Sequence, residues 1–210
     1  MHVKEKSMSF FFSDLKNVRF VSGSFVIAFM SFVMMADSVS VFAADQGRTF
    51  SIAGGTMSLE APEGWKRVEP KSGIVETEFS ILPAEGDAQP GRMTVMGAGG
   101  GVAQNLDRWY GQFTQPDGSA TKEKAITKTL KLAGCTVTIV DIAGTYKDTP
   151  GGPFAGGKSI DRPDYRMLAA IVETAENGSF FLKFYGPGKT VLGQSEGFRK
   201  MVEAMVPASQ

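Results

Sequence analysis

The chain has almost no histidine and almost no cysteine: His2 and Cys135 are the only examples among 210 residues. His2 lies in a segment that reads as a removable leader, so the mature part keeps no imidazole. This excludes the hydrolase arrangements in which a serine or cysteine is activated by a histidine base. It also excludes most zinc sites, which draw on His and Cys ligands. One cysteine cannot form an internal disulfide, so an exported domain of this kind must be held by core packing. Cys135 falls in the alternating run 135–140, where a buried thiol acting as a small apolar residue is expected rather than a reactive one.

Surplus charge is missing too. Setting aside the four basic and three acidic residues of the first 43 leaves 18 Lys and Arg against 19 Asp and Glu. Without a basic surplus, neither nucleic acid nor an anionic membrane surface is expected as an electrostatically driven partner. No second apolar stretch after the leader is long enough to span a membrane, and no internal repeat is visible.

The amino-terminal segment has the three parts of an export signal. Lys4, Lys6, Lys16 and Arg19 give a basic start, and 20–36 is apolar apart from small residues. Val41 and Ala43 then occupy the two positions where a signal peptidase accepts small or modest side chains. Cleavage near Ala43 is expected, giving a leader of 1–43 and a single domain of 44–210 that is exported to the periplasm or secreted. A leader of 43 residues is longer than the roughly 15–30 of a typical signal, and initiation at Met8 would shorten it. The alternative is an uncleaved anchor, since an apolar run of 17 sits at the low edge of the ~17–25 that cross a bilayer. With cleavage, no stable membrane insertion is expected.

Alternation and turn chemistry outline the domain. Residues 49–52 and 56–60 are split by Gly54-Gly55 as a hairpin. Further strands are expected over 75–82, 92–96, 124–132, 135–146, 165–173 and, after the Asn177-Gly178 turn, 179–185. Trp65 is expected to cap one edge of the core. Val102, Leu106, Trp109 and Phe113 share one face of a helix, and Val191, Phe198, Val202 and Met205 can share one face of another. Neighbouring strands with short turns and two helices predict an α+β fold, a mainly antiparallel β-sheet flanked by two helices.

Several motifs imitate active sites. Gly193-Gln194-Ser195-Glu196-Gly197 fits the pattern of a nucleophile elbow, but no histidine base accompanies it, and a helix carrying two glycines and a serine is expected instead. Gly97–Gly101, between a strand and a helix, could cradle an anion. It lacks the third glycine of the dinucleotide fingerprint, because Val102 stands there. Gly188-Lys189-Thr190 resembles the end of a P-loop, yet Lys183 occupies the place of its first glycine. Asp148, Asp161 and Asp164 do not form a calcium-loop pattern. No catalytic, cofactor-binding or metal-binding residue is therefore assigned.

The residues singled out for interaction are Arg108, Gln112 and Phe154. Arg108 and Gln112 stand four apart beside Trp109, where an anchoring pair between Arg108 and a loop carboxylate is the plainer expectation. Phe154 lies among the prolines and glycines of the 18 residues between Tyr146 and Tyr165. A long loop without structure of its own is often functional, so Phe154 is expected either to wall a binding surface or to plug the sheet edge.

Three segments together carry a resemblance. They are Pro62-Glu63-Gly64-Trp65, the helix Asn105-Leu106-Asp107-Arg108-Trp109-Tyr110-Gly111-Gln112, and the strand end 180–187 that runs into the last helix. The pattern resembles secreted bacterial proteins and lipoproteins of the PsbP-like superfamily over most of 50–206. The resemblance implies an antiparallel sheet sandwiched by helices, and a non-enzymatic module that binds or assembles with another envelope or secreted protein or a small ligand. It places no metal-binding residue on this sequence. Two alternatives stay open: a carboxylate-only hydrolase of glycosidase type, drawing on Glu76, Glu78, Asp141 and Glu173, and an envelope structural protein with a large apolar patch.

Overall fold

Strand residues alternate between the two faces of a sheet, and in this chain both faces are apolar over the central strands. The computed structural model describes residues 47–149 and 158–208; the leader and Phe154 lie outside the described residues. Strands β1 (Thr49–Ile52) and β2 (Met57–Glu60) pair as the expected hairpin, and β11 (Val206–Pro207) adds to β2 to make a small three-stranded sheet. The large sheet contains β3 (Trp65–Val68), β4 (Thr77–Ile81), β5 (Gly91–Ala98), β6 (Phe113–Thr114), β7 (Ile126–Leu132), β8 (Cys135–Asp148), β9 (Ile160–Glu173) and β10 (Ser179–Pro187). Its order is β3-β4-β5-β10-β9-β8, with β7 and β6 sharing the outer edge of β8. Every pairing is antiparallel.

Among the described residues four α-helices complete the α+β fold: α1 (Val102–Tyr110), α2 (Thr121–Lys124), α3 (Gly188–Gly193) and α4 (Ser195–Glu203). Two were expected, and the difference has local causes. The terminal segment breaks at Gln194, which leaves helical geometry (φ −102°, ψ 4°) while its Oε1 accepts the indole N–H of Trp65 at 2.9 Å. α1 stops before Phe113, which enters β6 yet still packs in the same apolar cluster as Trp109. α2 is a single turn ahead of β7.

The core divides by strand phase. One face carries Phe79, Met93, Leu182, Phe184 and Leu168, covered by the small sheet and by Val191, Phe198, Met201 and Val202 of α3 and α4. Trp65 packs here, with its ring centroid 4.9 Å from that of Phe184. The other face carries Val140, Ile142, Met167, Ile171 and Phe181, covered by Trp109 of α1 and by Phe113. The result is a helix–sheet–helix sandwich.

Buried polar groups bind the layers together. Asp141, 6 % exposed, accepts two hydrogen bonds from Arg166 (2.7 and 2.8 Å) and one from Arg199 of α4 (3.3 Å). The bidentate pair raises the pKa of Arg166. Asp87 accepts from the backbone N–H and the hydroxyl of Thr190 at 2.8 and 2.6 Å, which fixes the start of α3. No helix among the described residues is long and apolar enough to cross a membrane.

Candidate functional site

The look-alike motifs resolve into packing. Ser195 begins α4, and the neighbouring Gly197 lets the helix approach Pro62, whose Cγ would lie 3.2 Å from a Cβ there. Gly188-Lys189-Thr190 opens α3, where the Asp87 carboxylate already accepts the N–H and hydroxyl of Thr190 that a phosphate would use. The glycine loop 97–101 turns its carbonyls inward. The fully buried Asn105 donates its amide to the oxygens of Gly99, Gly100 and Gly101 at 3.2, 3.4 and 3.1 Å. A loop presenting carbonyls to a helix side chain is tied down rather than poised for an anion.

Of the acids considered for hydrolysis, Glu78 and Asp141 are kept apart by the sheet. Glu78 lies on the Val140 face and Asp141 on the Phe79 face, and each is gripped by arginine. Glu76 lines an open groove of about 670 Å³ beside Glu69, Arg67 and Lys71, and accepts the Gly97 N–H at 3.2 Å. Glu173 sits at the far end of β9.

The sequence-derived interaction residues fare differently. Arg108 is exposed and makes no ion pair with any described carboxylate, so the expected anchoring contact is absent and the helix is held by Trp109 and Asn105 instead. Gln112 is half-buried, and its Oε1 accepts from the ammonium of Lys183 at 2.7 Å. The supposed 18-residue loop is also shorter than expected. The β8–β9 ladder continues through Tyr146↔Arg162 and Asp148↔Ile160, because Gly144 (φ 148°) absorbs an irregularity and keeps the strands paired.

Lys183 leads to the most unusual polar group in the fold. It lies on β10 in phase with Phe181 and Tyr185, in a cross-strand row with Glu78, Thr94, Ala169 and Val140. A lysine there faces a layer that is otherwise apolar on its β8–β9 side. Its Nζ is 4.9 Å from the Tyr185 ring centre and 5.5 Å from that of Tyr146, within cation–π range. Tyr146 stacks on Tyr165, with ring centres 6.0 Å apart and planes 5° from parallel, and lies 5.3 Å from Tyr185. Two tyrosine rings thus flank one ammonium, and Tyr165 stacks on one of them.

Arginine and carboxylate frame this cluster. Arg92 of β5 grips Glu78 through two hydrogen bonds of 2.8 and 2.7 Å and donates a third, 2.8 Å, to the Tyr185 hydroxyl. That hydrogen bonding holds the Glu78 carboxyl below its ordinary value, although burial acts against it. On the other side Arg162 pairs with Asp148 at 3.2 Å. Both nearby carboxylates are therefore satisfied by arginines, and Lys183 has no described carboxylate within ion-pair distance. Burial, followed by the charge of Arg92, pushes the Lys183 pKa down to about 8, while burial pushes the hydroxyls of Tyr146 and Tyr165 up.

The backbone bends where these rings gather. Asp164, next to Tyr165, has φ 55°, a left-handed geometry uncommon outside glycine. Its carbonyl approaches so closely that a Cβ at residue 188 would lie 2.7 Å away, which explains glycine there. Bulges and strained residues re-aim side chains and concentrate at functional positions. Sequence reading missed this group because Arg92, Tyr146, Tyr165, Lys183 and Tyr185 become neighbours only through the strand order. One signal was available: a lone lysine at an inward position of Phe-Phe-Leu-Lys-Phe-Tyr.

No family model and no curated protein matches the chain. Solved structures show likeness to the PsbP of Synechocystis sp. PCC 6803 (CyanoP), with a TM-score of 0.45, 11 % identity and coverage of 75 % of this chain and 89 % of that one. PA94 of Pseudomonas aeruginosa, described as a protein of unknown function and putative regulator, gives 0.42 at 13 % identity, covering 77 % and 97 %. LpqN of Mycobacterium tuberculosis, described as involved in cell envelope biogenesis, gives 0.43 at 13 %, covering 80 % and 88 %. The architecture rests on the strand order itself.

Proposed function

We propose that the chain is an exported, non-catalytic binding module that engages its partner through the face bearing Tyr146, Tyr165, Lys183 and Tyr185. Export is inferred from the basic, apolar and Val41-x-Ala43 series of the leader. The observation that carries the binding role is the half-buried Lys183, kept between the rings of Tyr146 and Tyr185 with no described carboxylate in ion-pair contact. Tyrosine and arginine are the side chains that interfaces favour, because they offer large rigid contact area with polar tips. The hydrolase reading loses support here, since Glu78 and Asp141 are both locked by arginine.

The test is affinity recovery from the native envelope fraction with three forms of the protein: wild type, Tyr165→Ser, and Ile126→Ser. Ile126 is an exposed residue of β7, away from the tyrosine face. Components retained by wild type and Ile126→Ser but lost with Tyr165→Ser support the reading. Equal recovery by all three forms contradicts it.

A further inference from the structure

The balance of charges on the tyrosine face identifies the chemistry it would accept. Arg92 is matched by Glu78 and Arg162 by Asp148, so Lys183 is the cation of the cluster left without a described carboxylate in ion-pair contact. The neutral groups around it are rich in donors. The Tyr185 oxygen already accepts from Arg92, which leaves its proton to be donated. The hydroxyls of Tyr146 and Tyr165 make no hydrogen bond with any described residue. Gln112 uses only one of the three ammonium protons.

We infer that Lys183 is the receptor for a single carboxylate, an Asp or Glu side chain of a partner polypeptide that reaches it beside the partly exposed Tyr165 and Tyr185. This rests on the reading of the tyrosine face as the binding surface. One uncompensated positive charge complements a monoanion, whereas a phosphate dianion would call for a second free cation. Tyr146 is buried, while Tyr165, Lys183 and Tyr185 each keep part of their surface exposed, and the two grooves of about 670 and 390 Å³ are lined by none of these four residues. A polypeptide segment suits such a surface better than a small molecule, which needs enclosure. An arriving carboxylate would supply the counter-charge that the fold withholds, and the tyrosine hydroxyls would share its oxygens.

The experiment follows the Lys183 side-chain CεH2 signals by NMR in 13C-lysine-labelled protein. The probes are acetate, inorganic phosphate, N-acetyl-triglutamate amide and N-acetyl-triglutamine amide. Triglutamate and acetate should move the Lys183 signal and raise the pH at which it titrates, as an opposite charge favours the protonated form. The charged groups facing it are Arg92 and Glu78 from β5 and β4, Asp148 from β8 and Arg162 from β9, all paired throughout. Triglutamine should leave the signal unmoved, and Lys183→Gln should weaken triglutamate binding about tenfold or more. If no carboxylate moves the signal, or phosphate moves it more than acetate at equal concentration, the inference is wrong. Retained loss of partners with Tyr165→Ser would then leave the tyrosine face standing as a binding surface with other chemistry; equal recovery would overturn both.

Discussion

Replacing Lys183 with methionine should stabilise the protein while removing its binding. The lysine titrates at about 8 in the fold against an ordinary 10.5, chiefly because burial penalises the charged form. Keeping it protonated at pH 7 therefore costs about 3 kcal/mol. Methionine nearly matches the length of the aliphatic stem, carries no charge and packs well against aromatic rings. It loses the bond to Gln112, but that side chain is half-buried and can turn to water. A net gain of about 1–3 kcal/mol in urea unfolding at pH 7 is expected, since the lost hydrogen bond offsets part of the relief. The pH profile gives a second, independent readout. Between pH 8 and 10.5 the unfolded wild-type chain binds more protons at this lysine than the folded one, so its stability rises with pH through that window. The methionine variant should lack that increment. Tyr146 and Tyr165, whose hydroxyls are pushed up, act in the opposite direction only above about pH 10. Destabilisation by more than about 1 kcal/mol, or identical profiles for the two proteins, would show that the charge is structural and refute the reasoning.

Three further outcomes follow from the same geometry. Asp141→Asn should destabilise by about 2–4 kcal/mol in chemical denaturation, because it leaves Arg166 and Arg199 facing a neutral group. Arg199→Ala should cost much less, since its side chain is nearly half exposed and its bond is long. Glu78 is held below its ordinary value, so its contribution is complete above about pH 4.5 and is lost as pH falls through the lower folded value; melts of Glu78→Gln from pH 6 to 2 should lack that acid-side loss. Amino-terminal sequencing of the protein from its native host should begin at Ala44 or Asp45, and an intact leader in the membrane fraction would contradict export by cleavage.

Local chemistry made much of the fold legible. Gly54-Gly55 and Asn177-Gly178 marked real turns, and the alternation of 75–82, 135–146 and 179–185 marked real strands. β3 escaped notice because Trp65-Lys66-Arg67-Val68 is too short and too charged to alternate clearly, and only pairing with β4 makes it a strand. The extensions of β8 to Asp148 and of β9 back to Ile160 were hidden for a related reason. Lys147, Asp161 and Arg162 read as loop residues, yet each strand supplies the other's hydrogen bonds. The helix face of Val102, Leu106 and Trp109 was read correctly, but Gly111 ends the helix and hands Phe113 to the sheet.

The candidate site was the least legible part. Gln112 was singled out for its spacing from Arg108, but it matters through Lys183, 71 positions away in sequence. Tyr146 and Tyr165 were seen as the two ends of a loop, when they are stacked neighbours on adjacent strands. Such contacts depend on strand order and on the irregularity at Gly144, neither of which local pattern encodes.

The most direct measurement is site-specific photo-crosslinking in the native envelope, with a benzophenone side chain placed at 165, at 126 or at 192 in turn. All three positions reach solvent: Tyr165 is half-buried on the tyrosine face, while Ile126 and Leu192 are 67 % and 54 % exposed elsewhere. A partner adduct concentrated at 165, and diminished when Lys183→Gln is added, is the predicted result. Adducts of equal yield at all three positions, or confined to 126 or 192, would contradict the tyrosine face as the surface by which this protein binds.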